Sequence, residues 1–172
     1  MFIWRLFFCR FSSSSGGGGR ELRRVMQYVP TSVVVVTTRA PGGGGESVLR
    51  GVTCSSFTSV SAKPPVVSFC MQNPSRFHSL LTESGLFAVN ILSETQANLS
   101  IRFSTPLAQG TEEENSQFKR VPHAIDTEFN LPLLEGCVGH LLCSKREFHQ
   151  VGDHFVWYGD VLKTIIANGY DV

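Results

Sequence analysis

The alternation of apolar and polar positions predicts a chain made mainly of short strands. Six runs of apolar and β-branched residues, bounded by Gly, Pro or Asn, have the pattern of strands, at residues 32–39, 48–57, 66–71, 85–92, 133–147 and 155–166. Helical spacing is confined to three short stretches, at residues 20–28, 76–82 and 93–103. Many short strands with few helices are typical of a β-barrel. The sequence therefore predicts a mainly β fold, a Greek-key barrel of six or seven strands with a few short flanking helices.

The stretch between the second and third of these strands has an unusual composition. Residues 53–61, which we call the polar crossing, alternate Ser and Thr with Phe57 and Val60 and are followed by Pro64-Pro65. Proline cannot donate to a sheet ladder, and a solvated loop would be richer in Asn, Asp, Gly and charge. Small hydroxyl donors beside an apolar surface suit a ligand that is flat and apolar at one end and carries hydroxyls and a phosphate at the other. Flavin mononucleotide (FMN) has this shape.

A second group of donors is predicted where the helix at residues 76–82 begins. Asn73 opens a turn, Ser75 is a good N-cap, and Arg76 and His78 follow. The start of a helix offers unpaired N–H groups and the positive end of the helix dipole, which together attract a phosphate. Taken singly, Ser75 is explained as a cap and Arg76 as a solvated side chain. Opposite a hydroxyl-rich segment, the group favours phosphate binding.

Composition and charge exclude several classes of partner. The chain has 172 residues and a formal net charge of +1, so it is long enough for one domain with a sizeable core. Because Lys and Arg are dispersed along the sequence, they do not form the basic patch that binds the phosphate backbone of nucleic acids. No apolar run approaches the roughly 20 residues that span a bilayer. We therefore predict no nucleic-acid partner and no membrane partner.

The cysteines and the remaining motifs indicate ordinary structure. Five scattered cysteines have no Cys-x-x-Cys pair and no metal spacing with His149 or His154, so we predict free, mostly buried thiols and no metal site. The glycines at residues 40–45 lack the features of a P-loop and favour a hairpin loop. Residues 104–130, with an acidic run at 112–114, are predicted to form a polar surface loop or lid. No Gly-x-Gly-x-x-Gly sequence supports a Rossmann dinucleotide site.

Four blocks in register resemble the flavin reductase-like family, the FMN-binding split barrels. The blocks are Thr53-Cys-Ser-Ser-Phe-Thr-Ser-Val-Ser61 with Pro64-Pro65, Val33-Val-Val-Val-Thr-Thr38, Phe87-Ala-Val-Asn-Ile-Leu92 with Gln96, Leu99 and Phe103, and Gly152-Asp-His154 with Gly159-Asp-Val161. They follow the family's order and cover about residues 21–163, which makes the joint signal specific. The resemblance implies a single split β-barrel domain over residues 20–172. Ser32 departs from the pattern, since the family usually has Gly before its valine run.

The resemblance also implies where a flavin would bind. In this family the isoalloxazine ring lies against residues 53–57, where backbone N–H groups meet its carbonyl oxygens, and nearby serines serve the ring edge, the ribityl chain and the phosphate. The implied cofactor-binding residues are Thr53, Cys54, Ser55, Ser56, Phe57, Ser59, Ser61, Asn73, Ser75, Arg76, His78 and Phe103. Each serine taken alone is better explained as a loop hydroxyl whose hydrogen bonds are satisfied locally.

The implied reaction is that of an NAD(P)H-dependent flavin reductase. Hydride passes from nicotinamide C4 to flavin N5 when the two rings stack, so the protein supplies position and needs no nucleophile. His154 is the implied catalytic residue, beside the nicotinamide, and Asp153 would orient its turn. The alternative for His154 is a strand-end histidine bonded to backbone. The flavin is FMN, with FAD or riboflavin as alternatives, and the donor is NADH or NADPH.

The resemblance further implies a homodimer, in which the second subunit completes the pocket, and reduced flavin passing to a monooxygenase. The rival hypothesis is an FMN-binding module without reductase turnover, a carrier, sensor or assembly partner. Ser32 favours this rival, as does the end of the chain at Val172, because the family usually continues into an aromatic segment there. A pyridoxamine-phosphate-oxidase-like enzyme would need a basic phosphate cluster that the sequence lacks.

Residues 1–19 differ from the rest of the chain. They are rich in Phe and Ser, contain Arg5 and Arg10, and have no acidic residue, which is the pattern of a mitochondrial transit peptide. The alternative is a disordered tail or an incorrectly assigned start, with a cytoplasmic protein. Residues 12–19, serines followed by glycines, have the composition of a flexible linker under either interpretation.

Overall fold

The computed structural model describes residues 17–41, 47–105 and 116–167 of the chain. Nearly all of the leader predicted at residues 1–19 lies outside the described residues. The same holds for the acidic run at 112–114, for most of the glycine run at 40–45, and for residues 168–172.

The described ranges contain three α-helices and nine strands. The helices are α1 (Gly17–Met26), α2 (Arg76–Ser84) and α3 (Ala97–Ser104). The strands are β1 (Val34–Pro41), β2 (Ser47–Cys54), β3 (Thr58–Ala62), β4 (Pro65–Gln72), β5 (Leu86–Ile91), β6 (His123–Ile125), β7 (Pro132–Leu134), β8 (Gly139–Val151) and β9 (His154–Ile166). Two 3₁₀ turns, Glu94–Gln96 and Ser116–Phe118, precede α3 and β6.

Seven of these strands form one antiparallel sheet in the order β2-β1-β5-β8-β9-β4-β3, and β6 pairs with β7 separately. The two outermost strands, β2 and β3, are consecutive in sequence and are separated only by residues 55–57. The chain itself therefore brings the two edges of the sheet together, and the sheet curls into a barrel that is split between β2 and β3. The predicted split barrel with short flanking helices is confirmed.

Alternate residues of the strands fill the interior of the barrel, as the two-residue repeat of a strand requires. Val34, Val36, Phe69, Phe87 and Trp157 belong to one cluster, and each is at most 1% exposed. The rings of Phe69 and Phe87 meet edge to face with centroids 5.5 Å apart. Two residues of α2 join this cluster. Because burying a side chain of this size contributes about 1.5–3 kcal/mol, this interior is the main source of stability.

A second buried cluster lies on the outer side of the barrel wall. Val35 of β1 shares it with Phe103, Phe118, Val121 and Leu134. The chain from Phe118 to Leu134 therefore covers the wall, and the prediction of a polar surface loop or lid over residues 104–130 is wrong for its described second half. Phe118 and Val121 are isolated apolar residues in a polar stretch, so no periodicity in the sequence reveals that this segment is packed.

The first helix differs from its prediction in position and environment. It begins at Gly17 and ends at Met26, whereas the prediction was residues 20–28. Glycines expected in a linker form its first turn, where the N–H groups need no helical partner. The predicted apolar face is uncovered, with Leu22 56%, Val25 65% and Val29 41% exposed.

The described cysteines are free thiols, as predicted. Cys54, Cys137 and Cys143 are buried, but Cys70 is exposed. The difference follows from strand alternation, because Phe69 and Met71 point into the barrel and Cys70 points out. In the described ranges, no helix is long and apolar enough to cross a bilayer.

Candidate functional site

The polar crossing is only partly a loop. It contains the end of β2, a link of residues 55–57 (hereafter the link) and most of β3. The edge strand β3 pairs with β4 from Thr58 opposite Ser68 onward, and its register shifts between Ser59 and Ser61. The strand-crossing-strand prediction is therefore corrected by one additional strand. Because β3 is an edge strand, one side of this hydroxyl-rich segment is open to a ligand.

Ser56 fastens the link to β4 through its side chain. Its Oγ accepts a hydrogen bond from Cys70 N at 2.8 Å and donates to Cys70 O at 3.3 Å, and it lies 3.1 Å from the Sγ of Cys54. The register that pairs Thr58 with Ser68 would place Ser56 opposite Cys70. One hydroxyl therefore takes the position of a main-chain pair and joins the link to β4.

Ser32 holds the last residue of the link, Phe57. Its Oγ donates to the carbonyl oxygen of Phe57 at 3.1 Å. The Phe57 ring is half-buried and packs against the interior cluster. The link is thus held by a hydroxyl from the segment before β1 and by the contact of one aromatic ring with the core.

Two of the predicted binding residues make their main contacts inside the protein. The Thr53 hydroxyl donates to the carbonyl oxygen of Ser100 in α3 at 2.6 Å. Phe103 is 2% exposed, and a Cβ added at Gly51 would lie 2.7 Å from its ring. The glycine therefore lets α3 approach β2 closely, and these residues position α3 against the barrel behind the polar crossing.

The hydroxyls of β3 differ in their contacts. Ser61 Oγ accepts a hydrogen bond from Lys63 N at 3.2 Å, which closes the turn before β4. Ser59 is exposed on the edge strand, and Ser55 in the link is half-buried. Ser55 and Ser59, which lie before and after Phe57 in the sequence, therefore present hydroxyls at the surface.

The start of α2 meets the turn between β8 and β9. Asn73 N donates to the carbonyl oxygen of Asp153 at 2.8 Å. Ser75 is the N-cap residue in extended conformation, without a side-chain capping bond, and Arg76 is exposed. The structure therefore brings the predicted phosphate group of Asn73, Ser75 and Arg76 next to the Gly-Asp-His turn, which lies some 80 residues later in the sequence.

His154 lies on the sheet face that carries Cys70. Gln72 pairs with His154, and Cys70 pairs with Val156. His154 therefore lies two residues along the sheet from Cys70, the residue that Ser56 contacts, which corresponds to about 7 Å. The His154 ring is mostly buried, and its Nδ1 is 2.8 Å from the carboxylate of Asp153. This hydrogen bond lowers the pKa of Asp153. The polar crossing, the start of α2 and His154 therefore meet at one end of the β4–β9 surface.

His78 is placed differently from Arg76. Its ring stacks on Phe155 with centroids 3.9 Å apart and meets the edges of Phe148 and Trp157. Burial, and secondarily the charge of Lys145, lower the pKa of His78. Its Nδ1 is buried and has no hydrogen-bond partner among the described residues. His78 therefore belongs to the aromatic cluster at the end of the barrel, as a neutral ring.

Three buried cysteines of the described ranges have raised pKa values. Burial raises the pKa of Cys54, and it raises that of Cys137 to about 11 and that of Cys143 to about 12, so these thiols are protonated and not nucleophilic. Among the described residues, no cluster of His, Cys, Asp and Glu has the geometry to hold a metal ion.

Sequence reasoning missed Cys70 as a component of the site. Its contribution is a main-chain N–H and carbonyl, and no residue type signals which carbonyl a distant serine will meet. Ser32 did carry a signal, since it stands where the resemblance expects Gly, but the sequence does not show that its hydroxyl reaches Phe57.

The chain matches the flavin reductase like domain family over residues 26–171. Among curated proteins, it is 34% identical over 111 residues to HsaB, the reductase subunit of a flavin-dependent monooxygenase of Mycobacterium tuberculosis, covering 64% of this chain and 55% of that protein. It is 36% identical over 113 residues to an NADH-dependent FAD reductase of Streptomyces globisporus, covering 66% and 60%. The chain thus spans little more than half the length of these relatives.

Solved structures show the same fold. The NADH:FAD oxidoreductase SgcE6 of Streptomyces globisporus C-1027 superposes with a TM-score of 0.75 at 31% identity, covering 92% of this chain and 89% of that one. SgcE6 in complex with NAD and FAD fragments gives a TM-score of 0.76, covering 92% and 88% at 31% identity. The styrene monooxygenase flavin reductase SMOB of Pseudomonas putida S12 gives 0.71 at 28% identity, covering 87% and 88%.

Proposed function

Because this chain belongs to the flavin reductase like domain family, we propose that it is an NAD(P)H-dependent flavin reductase, which transfers hydride from nicotinamide C4 to flavin N5. The observation that carries the proposal is the family match over residues 26–171. This range contains the polar crossing, the start of α2 and the Gly-Asp-His turn, which meet on one surface of the barrel.

The donors on this surface fit a flavin. A bound flavin supplies the electron-accepting ring, whose added charge near N1 and O2 is stabilised by fixed N–H donors. The link presents its main chain and the hydroxyl of Ser55 to the ring edge, and Ser59 extends the line of donors along β3. The exposed Arg76 and the N-terminus of α2 meet a phosphate. The protein therefore binds and aligns the two substrates.

His154 is the residue that we place beside the nicotinamide. The carboxylate of Asp153 accepts from Nδ1 at 2.8 Å, which fixes the proton on that nitrogen and the orientation of the ring. A ring held in this way contributes to catalysis by positioning the nicotinamide for hydride transfer. Removing it should therefore slow turnover more than it weakens flavin binding.

The cofactor, partner and location follow as parts of the same proposal. FMN is the flavin, with FAD or riboflavin as alternatives, and the NADH-dependent relatives support NADH as the donor. Relatives described as reductase subunits support delivery of reduced flavin to a monooxygenase. The uncovered apolar face of α1 supports a homodimer. Residues 1–19 would direct import into mitochondria, which a fluorescent fusion of this segment tests by its location.

The function is tested by spectroscopy and steady-state kinetics of the purified full chain. We expect flavin uptake at micromolar concentrations and NAD(P)H oxidation that depends on added flavin. The His154→Ala variant should lose most of the turnover and retain its flavin affinity, while His149→Ala, a change at an exposed histidine of β8, should retain both.

Two outcomes would contradict the proposal in different ways. A protein that takes up no flavin is not a flavin reductase. A protein that binds FMN but does not oxidise NADH or NADPH is a flavin-binding module. Equal turnover of the His154→Ala variant and the wild type would remove His154 from the site.

A further inference from the structure

We propose that the hydroxyls of Ser32 and Ser56 are a two-point latch, which holds the link in the shape that receives the flavin ring. Both are positioning residues, since they act through the main chain of the link. This inference rests on the proposed function and deepens it, because it assigns the shape of the flavin site to two side chains that bond to the protein.

The Ser56 half of the latch replaces a missing piece of sheet. The ladder between β3 and β4 begins at Thr58 opposite Ser68, and the next pair of the same type would join Ser56 to Cys70. In place of that pair, a single hydroxyl accepts from Cys70 N at 2.8 Å and donates to Cys70 O at 3.3 Å. The link is therefore joined to β4 while its own main chain makes neither of these bonds. Main-chain donors of the link are the groups that the proposed function assigns to the ring.

The Ser32 half of the latch is a feature of this chain. The resemblance expects glycine at this position, and glycine has no side chain to donate. Here the Ser32 hydroxyl donates to Phe57 O at 3.1 Å, at the opposite end of the link from β2. Phe57 is also anchored by its ring in the interior cluster. The link is thus fixed at its middle residue, Ser56, and at its last residue, Phe57, before any ligand arrives.

A link that is already ordered loses less conformational freedom when a ligand binds, so fixing it raises affinity. The proposed function places neither serine against the nicotinamide, so we expect the latch to act on flavin affinity and not on hydride transfer in the loaded enzyme. Cys54 provides a second readout. Its thiol is buried 3.1 Å from Ser56 Oγ, so release of the latch should expose it to alkylation.

The test compares Ser56→Ala, Ser32→Gly and the conservative Ser32→Thr with the wild-type protein. Flavin affinity is measured by fluorescence, KM for flavin and kcat by steady-state kinetics, and alkylation of individual cysteines by mass spectrometry of peptides without flavin. We expect Ser56→Ala to weaken flavin affinity about tenfold and Ser32→Gly about threefold, the scale of one lost hydrogen bond. In both variants, kcat should stay near the wild-type value. Ser32→Thr, which keeps a hydroxyl, should retain the flavin affinity of the wild type.

Cys54 should be alkylated faster in Ser56→Ala, while Cys143, fully buried in the barrel, remains protected. The matched control is Ser79→Ala, a change at an exposed serine of α2, which should alter neither affinity nor alkylation. If Ser56→Ala does not fold, the exposed Ser32→Gly change carries the affinity test alone.

Wild-type affinity in both Ser56→Ala and Ser32→Gly overturns the latch, whether or not Cys54 becomes reactive. A loss of kcat with unchanged KM for flavin overturns it as well, since that result places the serines in the chemical step. If the wild-type protein binds no flavin, the proposed function falls. If Cys54 then reacted faster in Ser56→Ala, the Ser56 hydrogen bonds would only stabilise the protein. That result would overturn the proposed role of Ser56 in positioning a flavin.

Discussion

The side chains of Asn90 and Ser56 both bond to main-chain groups of another segment, and the two residues differ in burial. Asn90 of β5 is 0% exposed; its Nδ2 donates to Val35 O at 2.9 Å, and its Oδ1 accepts from Leu134 N at 2.8 Å. Ser56 makes comparable bonds to Cys70 but is exposed. Water can replace a lost bond at the exposed site and cannot at the buried one. The buried junction should therefore determine stability, whereas the exposed one should determine the shape of a binding segment.

The largest effect is expected at the buried junction. Asn90→Ala leaves Leu134 N buried without its partner, at about 1–3 kcal/mol, and also removes the side-chain bonds to Val35 O and Thr37 Oγ1. We expect the free energy of unfolding, measured by urea denaturation, to fall by about 3 kcal/mol or more. Asn98→Ala, at an exposed asparagine of α3, should leave it nearly unchanged. A small effect of Asn90→Ala would contradict the contrast between the two junctions.

The barrel interior should be nearly as sensitive, because it is closely packed. A Cβ at Gly159 would overlap Cζ of Phe87 and would lie 3.3 Å from the carbonyl oxygen of Ser144. Overpacking of this kind costs about 1–3 kcal/mol, so Gly159→Ala should lower the melting temperature. Phe87→Leu added to Gly159→Ala should recover part of the loss, and a double-mutant cycle measures the coupling. Purely additive effects would exclude a clash between these residues.

The exposed junction should matter little for stability. Ser56→Ala removes bonds that water can replace, so we expect a change of no more than about 1 kcal/mol in the free energy of unfolding. The measurement is the same urea denaturation that is applied to Asn90→Ala. A loss as large as that of Asn90→Ala would mean that the split in the barrel, and not only the shape of the link, depends on this hydroxyl.

The smallest effect is a dependence on pH that comes from the aromatic cluster. The pKa of His78 in the folded protein is below its usual value because the ring is buried and faces Lys145. The unfolded chain therefore binds the proton more tightly, and stability is lost as pH falls below about 6.5. His140, whose pKa burial also lowers, contributes in the same direction. Between about pH 7.5 and pH 5, His78→Gln should lose less stability than the wild type, while His149→Gln should behave like the wild type.

The sequence determined the class of fold, because the periodicity of apolar residues is a local property. It placed β1, β4, β5 and α2 within about two residues, since Pro, Gly and a capping serine mark their ends. It also identified the family, because the family's motifs are short contiguous stretches of sequence. It did not reveal β3, because a hydroxyl-rich edge strand has the composition of a loop, nor the packed segment around Phe118 and Val121.

The sequence named candidate site residues from their motifs, and the structure shows which contacts they make within the protein. Thr53, Phe103 and His78 belong to the motifs that the sequence displays, yet the structure directs their contacts to α3 and to the aromatic cluster. Which partner a side chain meets depends on sheet register, and register is decided by strands far apart in sequence.

The chain by itself therefore determined the class of fold, most of the long strands and the family. Only the tertiary structure decided that Ser56 faces Cys70, that Ser32 reaches Phe57 and that the Gly-Asp-His turn meets the start of α2. The physical reason is that hydrogen bonds between distant segments depend on how the sheet closes, and closure is a property of all seven strands together.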